Sequence, residues 1–244
     1  MPAMKISILI PTKNESRKLI ANMEEKILPY FDECGITYDV LICADGGREE
    51  EFEAISAHHF PAHVKLLPLI DVKGKGHAVK RLYEESDSDY GLFMDADLST
   101  DLSVFDLMKG DLGKVDCLIA SRDAKGSRYG KKQPLTRRLT HFGCRKAVQW
   151  KFHMKGIKDT QCGYKCVRTD ICKKICSKSI IDGFAFDVEL LYILSLNGYS
   201  IREYPCLWTD DPDSSVSSPL KSSLSFYKDL RKIKKNRKNY SGVK

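Results

Sequence analysis

Up to about residue 120 the chain alternates short apolar, β-branched runs with polar stretches of helical composition, and few folds accept that rhythm. Ile6–Ile10, Tyr38–Cys43, Val64–Leu67, Tyr90–Met94 and Val115–Ala120 read as buried strands. Between them, Glu15–Leu28, Arg48–Ala57 and His77–Glu85 have the composition of helices. Strand and helix in turn predict an α/β fold with a mainly parallel sheet flanked by helices. Ligands of such sheets gather outside the carboxyl ends of the strands. The loops after Ile10, Cys43, Leu67, Met94 and Ala120 are therefore where chemistry is expected.

The second half continues less regularly. Leu135–His153 reads as a helix, Gly163–Val167 as a short strand, and Phe186–Asn197 as a strongly apolar helix stopped by Asn197-Gly198. Ile201–Trp208 reads as a further strand, and the segment from Asp210 to Pro219, rich in Asp, Ser and Pro, as a flexible loop. A chain of 244 residues supports one sizeable core. The expected division is one domain over residues 1–210 and a loop and tail over 211–244. No run of eighteen apolar residues occurs, so no spanning helix is expected, and Ile6–Ile10 runs into Pro11 and Lys13 rather than a cleavage site. Nine cysteines, an odd number, suggest reduced thiols in a cytosolic compartment. Cys162, Cys166, Cys172 and Cys176 lack zinc-ribbon spacing, which favours buried thiols over a structural metal site.

Charge is concentrated at one end. Pro219–Lys244 carries nine basic residues and one acid, so it holds more than the whole net charge of +7 and leaves the body nearly neutral. Within it Leu220, Leu224, Tyr227, Leu230 and Ile233 recur at spacings of three and four, the pattern of one helical face. A basic amphipathic helix of this kind suits an anionic membrane surface. With no aromatic platform or nucleic-acid motif beside it, nucleic acid is not an expected partner.

The sharpest local signal is Phe93-Met94-Asp95-Ala96-Asp97 at the end of an apolar strand. An Asp-x-Asp alone is often just an acidic turn. At a strand end, two carboxylates one residue apart can share a hard cation, and oxygen ligands suit Mg²⁺ or Mn²⁺ with substrate phosphates completing the shell.

Ile8-Leu9-Ile10-Pro11-Thr12-Lys13-Asn14-Glu15, Ala44-Asp45-Gly46-Gly47, Gly74-Lys75-Gly76 and Asp95-Ala96-Asp97, in that order, resemble the inverting family 2 glycosyltransferases of GT-A (Rossmann-like) fold. Gly156–Lys165 and Phe184–Tyr192 are similar to the branch of dolichyl-phosphate β-glucosyltransferases and dolichyl-phosphate mannose synthases. The resemblance runs from about Lys5 to Trp208. It implies transfer of glucose or mannose from UDP-glucose or GDP-mannose to dolichyl or polyprenyl phosphate. Pro11, Thr12, Asn14, Glu15, Asp45, Lys75 and Ala96 would then border the donor, and Asp95 and Asp97 would hold the metal bridging its pyrophosphate. Arg122, with Arg137 or Arg138 and with Gln161, would meet the acceptor phosphate, because guanidinium groups hold phosphate oxygens bidentately. Asp187 and Glu189 are candidate acids at the head of a helix, where carboxylates also serve the helix itself; Asp159 has the same double reading. The chain departs from the pattern in three places. Ala44-Asp45 stands where the family has two acids, Ser99 stands where many mannose synthases have Gln, and Ser214-Ser215-Val216 lacks a lysine. Ser99 is kept as a third candidate metal ligand.

A lipid phosphate is ionised near neutral pH, so glycosyl transfer to it needs positioning and charge neutralisation more than a strong base. Two alternatives compete: the same fold acting on a protein, glycan or small-molecule hydroxyl, which would require a base such as Asp187 or Glu189, and an inactive GT-A scaffold. The lipid reading places the protein in the cytoplasm on the cytosolic face of a membrane, the endoplasmic reticulum in a eukaryote, with room for a membrane-anchor subunit.

Overall fold

The computed structural model describes residues 4–69, 74–130, 135–154, 156–209 and 219–243. In chain order the elements are β1 (Lys5–Thr12), α1 (Ser16–Asn22) continuing through a π-turn (Met23–Ile27) into α2 (Leu28–Glu33), β2 (Thr37–Ala44), α3 (Glu49–Ser56), β3 (Val64–Leu66), α4 (Lys75–Glu85), β4 (Tyr90–Met94) and α5 (Val104–Met108). There follow β5 (Cys117–Ser121), β6 (Arg128–Tyr129), α6 (Leu135–Phe152), β7 (Tyr164–Arg168), α7 (Thr169–Cys176), α8 (Phe186–Leu196), β8 (Ile201–Pro205), β9 (Leu207–Trp208) and α9 (Pro219–Lys235).

Seven strands among the described residues form one sheet in the order β3-β2-β1-β4-β7-β5-β8. All its pairings are parallel except those of β7, which runs antiparallel to both β4 and β5. Strand side chains alternate between faces, and both faces are filled. Leu9, Leu41, Phe93, Ile119 and Val167 pack under α4, α6, α7, α8 and α9. Ile8, Ile10, Ile42, Leu92 and Leu118 pack under α1, α2 and α5. Double burial explains why these strands are continuous apolar runs.

The reversal of β7 positions the site. Met94 pairs with Tyr164, so the amino end of β7 lies at the carboxyl end of β4. The segment from Asp159 to Gly163 thereby joins the loops after β1, β2, β4 and β5 at one edge.

The C-terminal helix is present, but its apolar face is divided. Leu230 and Ile233 are buried in the same core as Phe152 and Tyr192, together with Phe226, Tyr240 and Val243. Leu224 and Tyr227 stay exposed, at 65% and 39%; the Leu220 side chain lies outside the described residues. The end of the chain is tied down by hydrogen bonds. Asn197 Nδ2 donates to Tyr240 O, Tyr199 Oη donates to Val243 O, and Val243 N donates to Asn197 Oδ1, at 2.8, 2.8 and 3.0 Å. The expected boundary at residue 210 therefore does not separate a tail from the core over residues 224–243. Burying Leu230 and Ile233 against the chain's own helices outcompetes leaving them for another surface.

Candidate active site

A cavity of about 340 Å³ opens at the carboxyl edge of the sheet. Pro11, Thr12, Lys13 and Glu15 line it from the loop after β1, Asp45 from the end of β2, and Gly74 and Lys75 from the start of α4. Asp95, Ala96, Asp97 and Ser99 enter after β4, Arg122 after β5, and Gln161 and Gly163 before β7. Gly183, Phe184 and Trp208 complete the wall.

Local geometry fixes the acidic pair. Asp95 N donates to Gly163 O at 3.1 Å, and the carbonyl of Ala96 accepts from the buried Asn22 amide at 2.8 Å. Asp97 Oδ1 accepts from Ser99 N at 2.9 Å, a turn closed over Leu98 at φ 53°. A left-handed leucine is strained backbone, and such strain collects at functional sites. Burial pushes the Asp97 carboxyl above its ordinary value, and the charge of Asp95 pushes further, against the Ser99 N–H and Lys75. Two crowded carboxylates of this kind fit a divalent cation, which prefers one or two protein carboxylates plus substrate oxygens. Lys75 Nζ already stands in as a cation on Asp95 Oδ1, at 2.5 Å.

Thr12 offers the cavity a further polar group. Its hydroxyl is buried at the cavity wall and has no hydrogen-bond partner among the described residues, although buried polar groups are normally satisfied. Asp45 Oδ1 accepts from Gly74 N at 2.9 Å and so holds the lysine loop.

Arg122 and Asp159 form a fork-to-fork pair, with Nε and Nη2 donating to the two carboxylate oxygens at 2.7 and 2.8 Å. Arg122 N also donates to Asp159, at 3.0 Å. Burial opposes charge on Asp159, but the Arg122 guanidinium overcomes it and holds the carboxyl well below the usual carboxylate range. The arginine also sits 5.5 Å from the Trp208 ring centroid. The pair uses two of the five guanidinium donors while Arg122 remains at the cavity wall.

Other expected residues fall elsewhere. Asn14 is exposed and outside the cavity lining; its Oδ1 accepts from Arg48 N at 2.8 Å and locks two loops together. Asp187 is buried outside the lining and accepts from the fully buried Lys165 ammonium. Glu189 lies away from the cavity. Its carboxylate accepts from Ile180 N and Ile181 N, at 2.9 and 3.0 Å, and from the Tyr240 hydroxyl. An acid so fully committed holds a loop and is not placed to take a proton from an acceptor. Arg137 and Arg138 fall in the first turn of α6, and their side chains lie outside the described residues. Ser214, Ser215 and Val216 also lie outside them.

Sequence reasoning passed over Gly163, Lys165, Phe184 and Trp208. The first three sit inside the segments that carried the family resemblance, so the signal was present as motif without a role. Trp208 ends a strand and carries no local signal.

The fold and this acid-lined cavity define the class: a GT-A glycosyltransferase. Residues 7–176 match the model of Glycosyl transferase family 2, and the chain belongs to that family. It is 31% identical to a dolichyl-phosphate beta-glucosyltransferase of Dictyostelium discoideum, over 94% of this chain and 73% of the relative. The enzyme of the same name from Homo sapiens is 29% identical over 94% of this chain and 74% of its own. Among solved structures, the Mycobacterium tuberculosis glucosyl-3-phosphoglycerate synthase superposes with a TM-score of 0.67 at 16% identity, covering 94% of this chain and 80% of that one. The same enzyme crystallised with Mn²⁺, UDP-glucose and phosphoglyceric acid gives 0.65 at 16% identity over 95% and 80%.

Proposed function

We propose that this glycosyltransferase moves a glucosyl group from UDP-glucose to dolichyl phosphate, inverting the sugar carbon. The observation that carries the reading is the single cavity wall on which Asp95, Asp97, Lys75, the unpartnered Thr12 hydroxyl and Arg122 converge. Similarity to dolichyl-phosphate beta-glucosyltransferases over nearly the whole chain supports glucose; GDP-mannose is the competing donor.

Asp95 and Asp97 would hold Mg²⁺ or Mn²⁺, with Ser99 close by. When bound, such an ion neutralises charge on the departing diphosphate as a Lewis acid. Pro11, Thr12, Glu15 and Asp45 border the donor, and the Thr12 hydroxyl gains a partner. Arg122, rigid on Asp159, presents its remaining donors to the acceptor phosphate beside Gln161. That phosphate is already anionic, so no protein base is required, which suits an Asp187 held by Lys165.

The acceptor brings a membrane with it. Among the described residues no helix is long and apolar enough to cross one. Phe142, Trp150, Leu224 and Tyr227 are exposed on α6 and α9, which pack side by side, among basic residues. These exposed side chains suit the cytosolic side of an anionic membrane better than the tail stripe alone, two of whose four described residues are buried.

The test is incorporation of label from UDP-glucose or GDP-mannose into an organic phase, with dolichyl phosphate and Mn²⁺ or Mg²⁺ present. Lipid-phase label from UDP-glucose is expected, falling at least about 100-fold in Asp97→Ala, as when a main electrostatic group is removed. Donor hydrolysis without lipid product would redirect the assignment to a soluble acceptor.

A further inference from the structure

The Lys75–Asp95 ion pair is built from both sides. Asp95 is closed in on one side: a Cβ on Gly163 would come within 2.0 Å of Asp95 Oδ2, so the carboxylate is pressed against bare backbone there. Lys75 opens α4 directly after Gly74, whose φ of 126° and approach to the Asp182 carbonyl (2.5 Å from an added Cβ) only glycine permits. The ammonium lies 5.3 Å from the Phe93 ring centroid, a second attraction at the same point.

The charges around it are unevenly matched. Asp95, Asp97 and Asp187 all act on Lys75. Asp187 has its own buried lysine, Lys165, whose ammonium also donates to Cys162 O at 2.6 Å. Asp95 and Asp97 have Lys75. One tethered unit charge thus sits on a carboxylate of the pair that would hold a divalent ion.

We propose that Lys75 is a built-in competitor for the metal: in the donor-free enzyme it occupies Asp95, and it releases that carboxylate only when a diphosphate arrives to take the ammonium. Metal and nucleotide then bind as a coupled pair, and the free enzyme does not fill its acidic site with cation alone. This rests on the reading of Asp95 and Asp97 as the metal pair. No covalent step is involved; the ammonium exchanges one anionic partner for another.

The test reads binding, not turnover. Free Mn²⁺ is followed by its electron paramagnetic resonance signal while wild-type, Lys75→Met and Lys75→Arg proteins are titrated, with and without UDP. Lys75→Met is expected to bind Mn²⁺ without UDP about tenfold tighter or more, as when one unit charge some 4 Å away is removed from a partly screened site. Lys75→Arg keeps the competitor and stays weak. Equal Mn²⁺ affinity of wild type and Lys75→Met without UDP overturns the competition. Absence of Mn²⁺ binding in every protein even with UDP overturns the metal reading itself, and the proposal with it. A second comparison does not depend on Lys75→Met folding. Metal-free UDP should bind Asp95→Asn more tightly than Asp97→Asn, because both lose one negative charge but only the first frees the ammonium. Equal tightening in the two variants also overturns the proposal.

Discussion

At the scale of single residues, the candidate site is a set of charges fixed by close backbone as well as by other side chains. Gly163 shows this most clearly. Its φ is not in the left-handed region, so an alanine there meets no backbone strain, yet its Cβ would fall 2.0 Å from Asp95 Oδ2 and 2.4 Å from Cγ. The carboxylate would have to rotate away from both its wall and Lys75. Gly163→Ala is therefore expected to melt within a few degrees of wild type but to lose activity by about 100-fold, since small misplacements of a charge-stabilising group are that costly. Circular dichroism melts beside the label-transfer assay check it; a variant with near wild-type turnover would show that Asp95 tolerates displacement. A sequence reader sees Gly163 only as a member of a motif, because the crowding arises between β4 and an antiparallel neighbour about seventy residues later. Asp95, Asp97, Lys75 and Arg122 were legible because residue type, strand end and order in the chain all agree. Glu189 shared its helix start with Asp187, and nothing local could say that its oxygens turn toward Ile180, Ile181 and Tyr240.

At the scale of elements, the long apolar runs were legible and their partners were not. β4 runs over Tyr90–Met94 as its composition predicts, but its neighbour β7 reverses direction, a property of topology rather than of any window of residues. The short helix α7 carries Ile171, Cys172, Ile175 and Cys176 on its buried side, with Lys173 and Lys174 off it. In the sequence this segment drew notice only for its cysteines. The C-terminal helix is the instructive case. An amphipathic period of 3.6 says that one face wants cover and not what covers it. Here α9 packs beside α6, and Leu230 and Ile233 join the core that holds Phe152 and Tyr192, while Tyr240 closes on Glu189, which in turn holds the chain leading to Asp182, Gly183 and the cavity wall. Leu230→Ala should therefore cost about 2–5 kcal/mol, the range for a buried leucine. Truncation after Asp213 should give a protein that aggregates or melts far below the full chain. Urea denaturation of the point variant and size-exclusion of the truncation test this, and a truncated chain with unchanged stability would return α9 to the status of a detachable tail.

At the scale of the whole molecule, the question is how a nearly neutral body carrying a basic C-terminal helix meets a lipid. Truncation cannot answer it, because α9 completes the core. The proposed membrane contact rests on what docking leaves outside. Trp150 is exposed at 78%, Leu224 at 65% and Phe142 at 50%, and Tyr227 lies against Gly143 on the neighbouring helix. Arg145 and Lys146 flank Phe142, their charged ends 5.6 and 5.5 Å from its ring centroid. Aromatic and aliphatic side chains of this size enter the headgroup region, while each basic residue near an anionic surface adds about 1 kcal/mol at low salt. The two contributions separate experimentally. Trp150→Ala combined with Leu224→Ala removes insertion without touching a core contact, so folding should be unchanged while binding to vesicles containing phosphatidylserine weakens at every salt concentration. Lys146→Gln combined with Lys228→Gln should weaken binding at low salt and converge on wild type as salt is raised, because screening removes what the mutations removed. Vesicle sedimentation across a salt series distinguishes the two slopes. Binding that neither pair alters would place the lipid-facing surface elsewhere on the molecule, and the cavity mouth, where Phe184 is exposed at 54%, would be the next face to test.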